Sequence, residues 1–566
     1  MSGILDALLN LWRFGRNALV RLLRRAPAFV WVEVGGALPE FEKPTGFVRG
    51  RLARGPSPVT LQALRERLGR ISADGRPRGV VLRLRDLDAG WASLEEARGE
   101  LLAFREGGGR VVAYLADPVD TRSYYLASAA DEILLAPLVT VGVTGVRTRV
   151  SFFKDALDRL GIGAEVIAVS PYKSAGDPFT RNDFSDEARA QAERLLDGRY
   201  EELVRAVSEA RGLSPEEAQG KIDKAPYGAL QAVNAGLVDG VCYEDELPRR
   251  LAGGGEGLRL VDWASAKKSL KAPYRGRSRR RIGLVEVSGA IARGKSRRLP
   301  LPLPFLGGER AGSDSVVAAL RRAEGSGRVA AVLLHVESPG GDALASDLIW
   351  REVQRISAKK PVVVLMGNVA ASGGYYVSAP AAHVVARRTT VTGSIGVITI
   401  RPVADRLYGR LGVHPVGLER GRRAGLMDPS RRPTEDELRV LEGQIGNAYE
   451  EFKARVSGGR GLADLDGIAG GRVWSGAEAL GHGLVDGVGG FREALGKACE
   501  LGGIKGGGQG GGADVLARMP VPRAGRPAPG RPAEVFEEVV EMMRREIREV
   551  SCGVWAMGPY GISDDW

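Results

Sequence analysis

Residues 361–376 read PVVVLMGNVAASGGYY, and the reading of this stretch settles the kind of fold the chain adopts. PVVVLM is a short apolar run rich in β-branched residues, the composition of a buried strand. Gly367-Asn368 punctuates it, and AASGGYYVSA then starts a helical segment of small residues. A strand that turns sharply into a helix exposes one side chain at the turn, and glycines there let the backbone approach a substrate. Ser372 is the side chain so presented. Its hydroxyl is a weak nucleophile until a base removes the proton. Without such a base, Ser372 is only the N-cap of a helix.

Working outward, the sequence repeats itself. GVVLRLRDLDAGWASL from Gly79 aligns with AAVLLHVESPGGDALA from Ala330, YYLASAADEILLAP from Tyr124 with YYVSAPAAHVVARR from Tyr375, and VGVTGV from Val141 with TGSIGV from Thr392. In all three pairs the second member lies 251 positions after the first. WVEVGGA at Trp31 faces LVEVSGA at Leu284, and GLVDGV at Gly236 faces GLVDGV at Gly483, with a small drift in offset. The chain therefore holds two copies of one fold. Each copy alternates short apolar runs with helical stretches, the pattern of parallel βαβ units in an α/β domain. We place the copies at residues 29–262 and 281–504. Between them, KKSLKAPYRGRSRRR is basic and carries Pro and Gly; it is expected to be a linker, over 263–280, outside any core. Residues 505–531 are Gly/Pro-rich and of low complexity. EVFEEVVEMMRREIREV, 534–550, has the apolar spacing and acidic-first order of a helix. The closing CGVWAMGPYGISDDW is either a docking tail or a disordered end.

Composition narrows the function. The 566 residues carry a formal charge of +12, mostly arginine spread along the length, which suits an anionic surface. No aromatic-plus-basic stripe and no zinc-type spacing is present, so nucleic acid is not an expected partner. Cys242, Cys499 and Cys552 lie far apart with no CxxC pair, which implies neither a disulfide framework nor a metal cluster. No cofactor is expected. His335, His383, His414 and His482 lack any local catalytic signature and read as structural. In the amino-terminal ILDALLNLWRFGRNALVRLLRRAPAFVWV, the apolar residues are interrupted by Arg13, Arg16, Arg21, Arg24 and Arg25. A membrane span needs about 20 mainly apolar residues. Residues 1–28 instead suit a basic amphipathic helix lying on an anionic membrane surface, or one packed on its own protein.

The two copies differ in their chemistry. Opposite Ser372-Gly373 stand Thr121-Arg122, opposite Ser338-Pro339-Gly340-Gly341 stand Leu87-Asp88-Ala89-Gly90, and opposite Ser394 stands Val143. The second copy keeps the nucleophile-type features that the first has lost. Glycines at a strand's carboxyl end can turn N–H groups toward a carbonyl oxygen, so Gly340 or Gly341 with Gly373 could form an oxyanion hole. The first copy supplies a candidate base in VIAVSPYKSAGDPF, where Lys173 follows an apolar run. Burial would have to lower its pKa by several units for it to act near neutral pH, and Ser394 could hold the neutral amine in line. Arg422 or Arg423 faces Lys173 in the second copy, and arginine is no base.

With PYKSAGDPF, SPGGD, GNVAASGGYY, TGSIGVI and GRVWSGAEALGHGLVD, residues 29–504 resemble signal peptide peptidase A (protease IV) in its long, duplicated form. The resemblance implies a tandem ClpP/crotonase-like fold and a Ser-Lys serine endopeptidase associated with a membrane, expected to be a bacterial inner membrane, with its face left open. It implies Ser372 as nucleophile, Lys173 as general base and Ser394 as the hydroxyl orienting the lysine. It further implies four chains forming a bowl, and substrates that are cleaved signal peptides and other extended apolar peptides with small side chains near the cut. Two features depart from the family: the Arg-interrupted amino terminus replaces a clear transmembrane anchor, and the carboxyl-terminal linker and tail lie outside the resemblance. The loop RLPLPLPFLGG, 298–308, is expected at the rim of the bowl, against lipid, or as a plain surface loop. Two rivals remain from the residues alone: a crotonase-type acyl-CoA enzyme, which would bind CoA and have no use for Ser372 with Lys173, and a non-catalytic membrane scaffold, which would cleave nothing.

Overall fold

Valine- and leucine-rich runs buried on both faces favour parallel strands covered by helices. In the computed structural model, which describes residues 2–42, 59–253, 257–274, 280–299, 308–504, 515–520 and 555–557, they build two such sheets. The first runs Leu260–Val261, Phe29–Gly36, Gly79–Leu87, Arg110–Leu115, Glu132–Leu135, Gly240–Val241, parallel throughout. The second repeats this order with Leu516–Arg518, Arg281–Ser288, Val329–Ser338, Val362–Ala371, His383–Ala386 and Gly487–Val488, again parallel. Alternate residues of its central strands serve opposite faces, as the pleat requires. Val332, Leu334, Val364 and Met366 enter one apolar cluster, and Ala331, Leu333, Val363 and Leu365 the other.

A third sheet stitches the copies together. Gly163–Ala168 of the first copy runs antiparallel to Ile398–Val403 of the second, from Ala168 opposite Ile398 to Gly163 opposite Val403. The sheet continues through Trp555–Met557, Gly340–Asp342, Ala290–Ala292, Gly308–Gly312 and Arg297–Leu299. The helix Trp91–Glu106 of the first copy also presses its acidic residues on the second. Glu96 and Glu40 share the buried Arg387 guanidinium at 2.8 and 2.6 Å, and Arg65 joins Glu40, Glu96 and Glu100. Burial works against ionisation of Glu40, but the Arg65 and Arg387 charges outweigh it and lower its pKa from 4.5 to about 2. Asn368 closes a second tie, accepting the Ser93 N–H at 3.0 Å and donating to Ser93 Oγ at 2.9 Å.

Two local expectations change. Gly367-Asn368 does not end its strand: the Glu337 carboxylate accepts the N–H groups of Asn368 (2.8 Å) and Val369 (3.3 Å) across a register shift, and the strand continues to Ala371. The basic stretch after the first copy does contribute to a core, because the helix Trp263–Ser269 buries Ala266, and Leu270 just beyond it, against the first copy. Lys267 and Lys268 stay outside while the two apolar residues, four apart, share one face. Either side of the loop 298–308, Arg297–Leu299 pairs antiparallel with Gly308–Gly312; residues 300–307, like the helix expected over 534–550, lie outside the described residues.

Candidate active site

Ser372 sits at the turn from the strand Val362–Ala371 into the helix Gly373–Ser378, with φ +53°. It is the N-cap residue of that helix, yet its side chain caps nothing. A left-handed backbone on a non-glycine residue is strained and persists only where its surroundings enforce it. Here the Ser372 N–H donates to Gly393 O at 2.8 Å, and Val369–Ala371 pairs in parallel with Val391–Gly393. The next residue must be small: a Cβ on Gly373 would lie 2.6 Å from Ser346 Oγ and 3.2 Å from Gly341 N.

The free hydroxyl meets the first copy. Lys173 Nζ lies 2.8 Å from Ser372 Oγ, 2.9 Å from Ser394 O and 3.0 Å from Ser394 Oγ. All three side chains are buried, Lys173 at 3% exposure, Ser372 at 0% and Ser394 at 1%. Burial holds the Lys173 amine well below the usual lysine range. Two residues on, Ala175 joins Ile398 in an apolar cluster with Val166 and Ile400 across the inter-copy strand pair. Ser394 also has positive φ, +52°, and its N–H donates to Arg472 O at 2.7 Å.

Gly340 and Gly341 adopt φ +107° and +153° beside this cluster. The Gly340 N–H is engaged by Ser338 Oγ at 3.2 Å, and Gly341 pairs with Ile291 in the third sheet. The structure thus brings all six sequence-derived residues, Ser372, Lys173, Ser394, Gly340, Gly341 and Gly373, to one locus. In the first copy the equivalent positions are closed by structural bonds: Thr121 Oγ1 donates to Gly145 O at 2.8 Å, Arg122 pairs with Asp88 at 3.3 Å, and Val143 is buried. Arg422 and Arg423 are exposed and face Asp436. Buried His335 stacks edge-on against Phe41, and its pKa falls to about 4 through burial. Among the described residues no group of three or more His, Cys, Asp or Glu could hold a metal ion.

Sequence reasoning missed two supports of the base. Gln191 donates to Tyr172 O at 3.0 Å and accepts the Val473 N–H at 2.9 Å, fastening the lysine loop to the other copy. Gly471, with φ +89°, packs so closely that a Cβ there would meet Lys173 Cβ at 2.7 Å. Neither has a signal in its own copy, because each is needed for a contact it makes with the other; GGRVW, 470–474, is the nearest hint.

Comparisons with known proteins identify the family of both copies. A family model described as peptidase family S49 matches residues 103–256 and again 354–505, one match in each copy. The chain is 33% identical over 450 residues to the chloroplastic serine protease SPPA of Arabidopsis thaliana, covering 78% of this chain and 65% of that protein, so it spans just under two thirds of that relative. It is 34% identical over 450 residues to Protease 4 of Haemophilus influenzae, covering 76% and 71% of the two chains, and 31% identical over 448 residues to Protease 4 of Salmonella typhi, covering 75% and 69%. The fold is a tandem duplication of a ClpP/crotonase-like α/β domain. With a match in both halves and relatives of this extent, the chain belongs to peptidase family S49.

Proposed function

We propose that the protein is a serine endopeptidase with a Ser372–Lys173 dyad, working through an acyl-enzyme on extended apolar peptides such as cleaved signal peptides. The observation that carries this reading is the 2.8 Å approach of the buried Lys173 amine to Ser372 Oγ. A neutral amine has two N–H donors and one lone pair. The Ser394 carbonyl and hydroxyl oxygens accept the two donors, which leaves the lone pair facing the Ser372 hydroxyl.

In the proposed reaction Lys173 takes the Ser372 proton as Oγ bonds to the peptide carbonyl carbon. The N–H groups of Gly373 and Gly341 stabilise the resulting oxyanion. The C–N bond then breaks, the leaving nitrogen takes the proton from Lys173, and an ester to Ser372 remains. Water, deprotonated by Lys173, attacks that ester; the C–O bond to Oγ breaks and Oγ recovers the proton. Hydrolysis of an apolar signal-type peptide tests the reading. Ser372→Ala and Lys173→Ala should each lower kcat about a thousand-fold or more, with folding intact by circular dichroism. Equal activity in wild type and both variants would remove it.

Association with an anionic membrane surface belongs to the same proposal and is supported by the amino-terminal helix, Ser2–Leu23. It docks on the chain along one side, where Val20 is buried, Asn17 exchanges hydrogen bonds with Ala272 and Arg16 donates to Leu270 O; Arg24, just beyond the helix, donates to Lys268 O. Leu11, Trp12 and Leu22 stay 68%, 64% and 82% exposed, with Arg21 and Arg25 beside them. Apolar side chains turned outward among arginines suit the headgroup boundary of a bilayer. Among the described residues no helix is long and apolar enough to cross a membrane.

A further inference from the structure

The strand that carries Ser372 falls out of step with its neighbour just before it delivers that residue. Val336 stands opposite Met366, yet Ser338 stands opposite Ala370, so Gly367, Asn368 and Val369 together face the single residue Glu337. The later strand therefore holds two extra residues, a bulge of the kind that re-aims a side chain beside a site. N–H groups in a bulge lose their ladder partners, and leaving them buried and unpaired is costly. The Glu337 carboxylate replaces the missing ladder: it accepts the Asn368 N–H at 2.8 Å, the Val369 N–H at 3.3 Å and Asn368 Nδ2 at 3.3 Å. Gly367 leaves it the room, since a Cβ there would collide with Glu337 Oε2.

The first copy holds the bulge from the other side. The helix Trp91–Glu106 starts after Gly90, which has no side chain to cap it, and Asn368 Oδ1 accepts the Ser93 N–H at 3.0 Å instead. Asn368 Nδ2 donates to Ser93 Oγ at 2.9 Å, and a Cβ on Gly90 would collide with the Asn368 amide. In the first copy the corresponding residues, Asp86 and Asp117, are both exposed, so this clamp belongs only to the copy that carries Ser372. We propose that Glu337 and Asn368 are positioning residues for Ser372: clamped against the first copy, they fix the bulge that sets the register in which the hydroxyl meets Lys173. The proposal rests on the peptidase reading for what Ser372 does, but not for what places it. Closing the bulge would slide Ser372 by two residues, about 6–7 Å along the strand. That is more than twice the 2.8 Å between Ser372 Oγ and Lys173 Nζ, and a misplacement of about 1 Å can already cost about a hundred-fold in rate.

The test uses the full chain. On an apolar fluorogenic peptide, Glu337→Ala and Asn368→Ala should each lower kcat about 10- to 100-fold with KM held within about 2-fold, because what moves is the reacting hydroxyl. Rescue separates positioning from a general loss of stability. Asn368→Asp alone sets two carboxylates against each other and should lose as much; Glu337→Gln combined with Asn368→Asp restores a donor between them and should regain about ten-fold in kcat. A second arm needs no hydrolysis and follows the thiol introduced by Ser372→Cys through the ultraviolet absorbance of its thiolate, as a difference from the chain with Ser372. Lys173→Met should change the ionisation constant of that thiol about tenfold or more; in the Glu337→Ala chain the same substitution should leave it unchanged. If Glu337→Ala fails to fold, Asn368→Ala carries both arms. Unchanged kcat in both alanine variants, a paired variant no better than Asn368→Asp, or an introduced thiol that still senses Lys173 after the bulge is released overturns the proposal. Absence of hydrolysis in the wild type would instead sink the peptidase reading, and the thiol arm would still decide the register.

Discussion

At the scale of single residues, the decisive quantity is the protonation of Lys173. Unfolded, its amine holds a proton up to about pH 10.5; folded, burial releases that proton at much lower pH. Between the two values the unfolded state binds more protons, so stability rises with pH across that window, and burial of the amine costs stability below it. On the proposed mechanism kcat/KM rises as pH rises through the folded pKa of Lys173 and falls below it. The acid limb should therefore lie far below pH 10.5. Lys173→Met should erase activity while raising Tm at pH 7, because an apolar side chain of similar length loses nothing on burial. Activity that first appears only above pH 10, or a Lys173→Met chain that melts lower, would contradict this. Ser372 and Lys173 were legible because each stands in a distinctive local frame, a strand-to-helix turn and an apolar strand end. Gln191 and Gly471 were not, because their purpose is set by what the other copy places against them.

At the scale of elements, the helix Trp91–Glu106 and the strand Val362–Ala371 are joined by groups that a bare alignment of copies treats as ordinary surface charge. Arg387 donates to Glu40, Glu96 and the Met366 carbonyl, and is almost wholly buried. Arg387→Ala would leave two buried carboxylates short of a cation and should destabilise the chain by about 3–5 kcal/mol, read by chemical denaturation. A change under about 1 kcal/mol would show that water or rearrangement replaces the guanidinium. The folded pKa of Glu40 is depressed, so its contribution is present above about pH 4.5 and is lost as pH falls toward about 2. The alternation of strands and helices could be read from apolar periodicity, and the duplication from paired segments a constant 251 positions apart. The pairing of Gly163–Ala168 with Ile398–Val403 could not, because antiparallel contact between copies leaves no periodic trace in either.

At the scale of the whole molecule, the amino-terminal helix gives the particle one apolar, arginine-flanked side. Leu11→Glu with Leu22→Glu should abolish co-sedimentation with phosphatidylglycerol vesicles and leave hydrolysis of a soluble peptide unchanged, since neither side chain packs on the fold. Equal sedimentation of variant and wild type would refute membrane docking by this face. The strand pairing between copies carries a consequence of its own. Lys173 and Ser372 are 199 residues apart in sequence and meet only when the later half docks on the earlier. On the proposed reading, a nascent chain leaving the ribosome carries an amine without its alcohol and is harmless to its neighbours until synthesis has passed Ile398–Val403. Latency of this kind needs no removable propeptide; it is written into the order in which the halves are made.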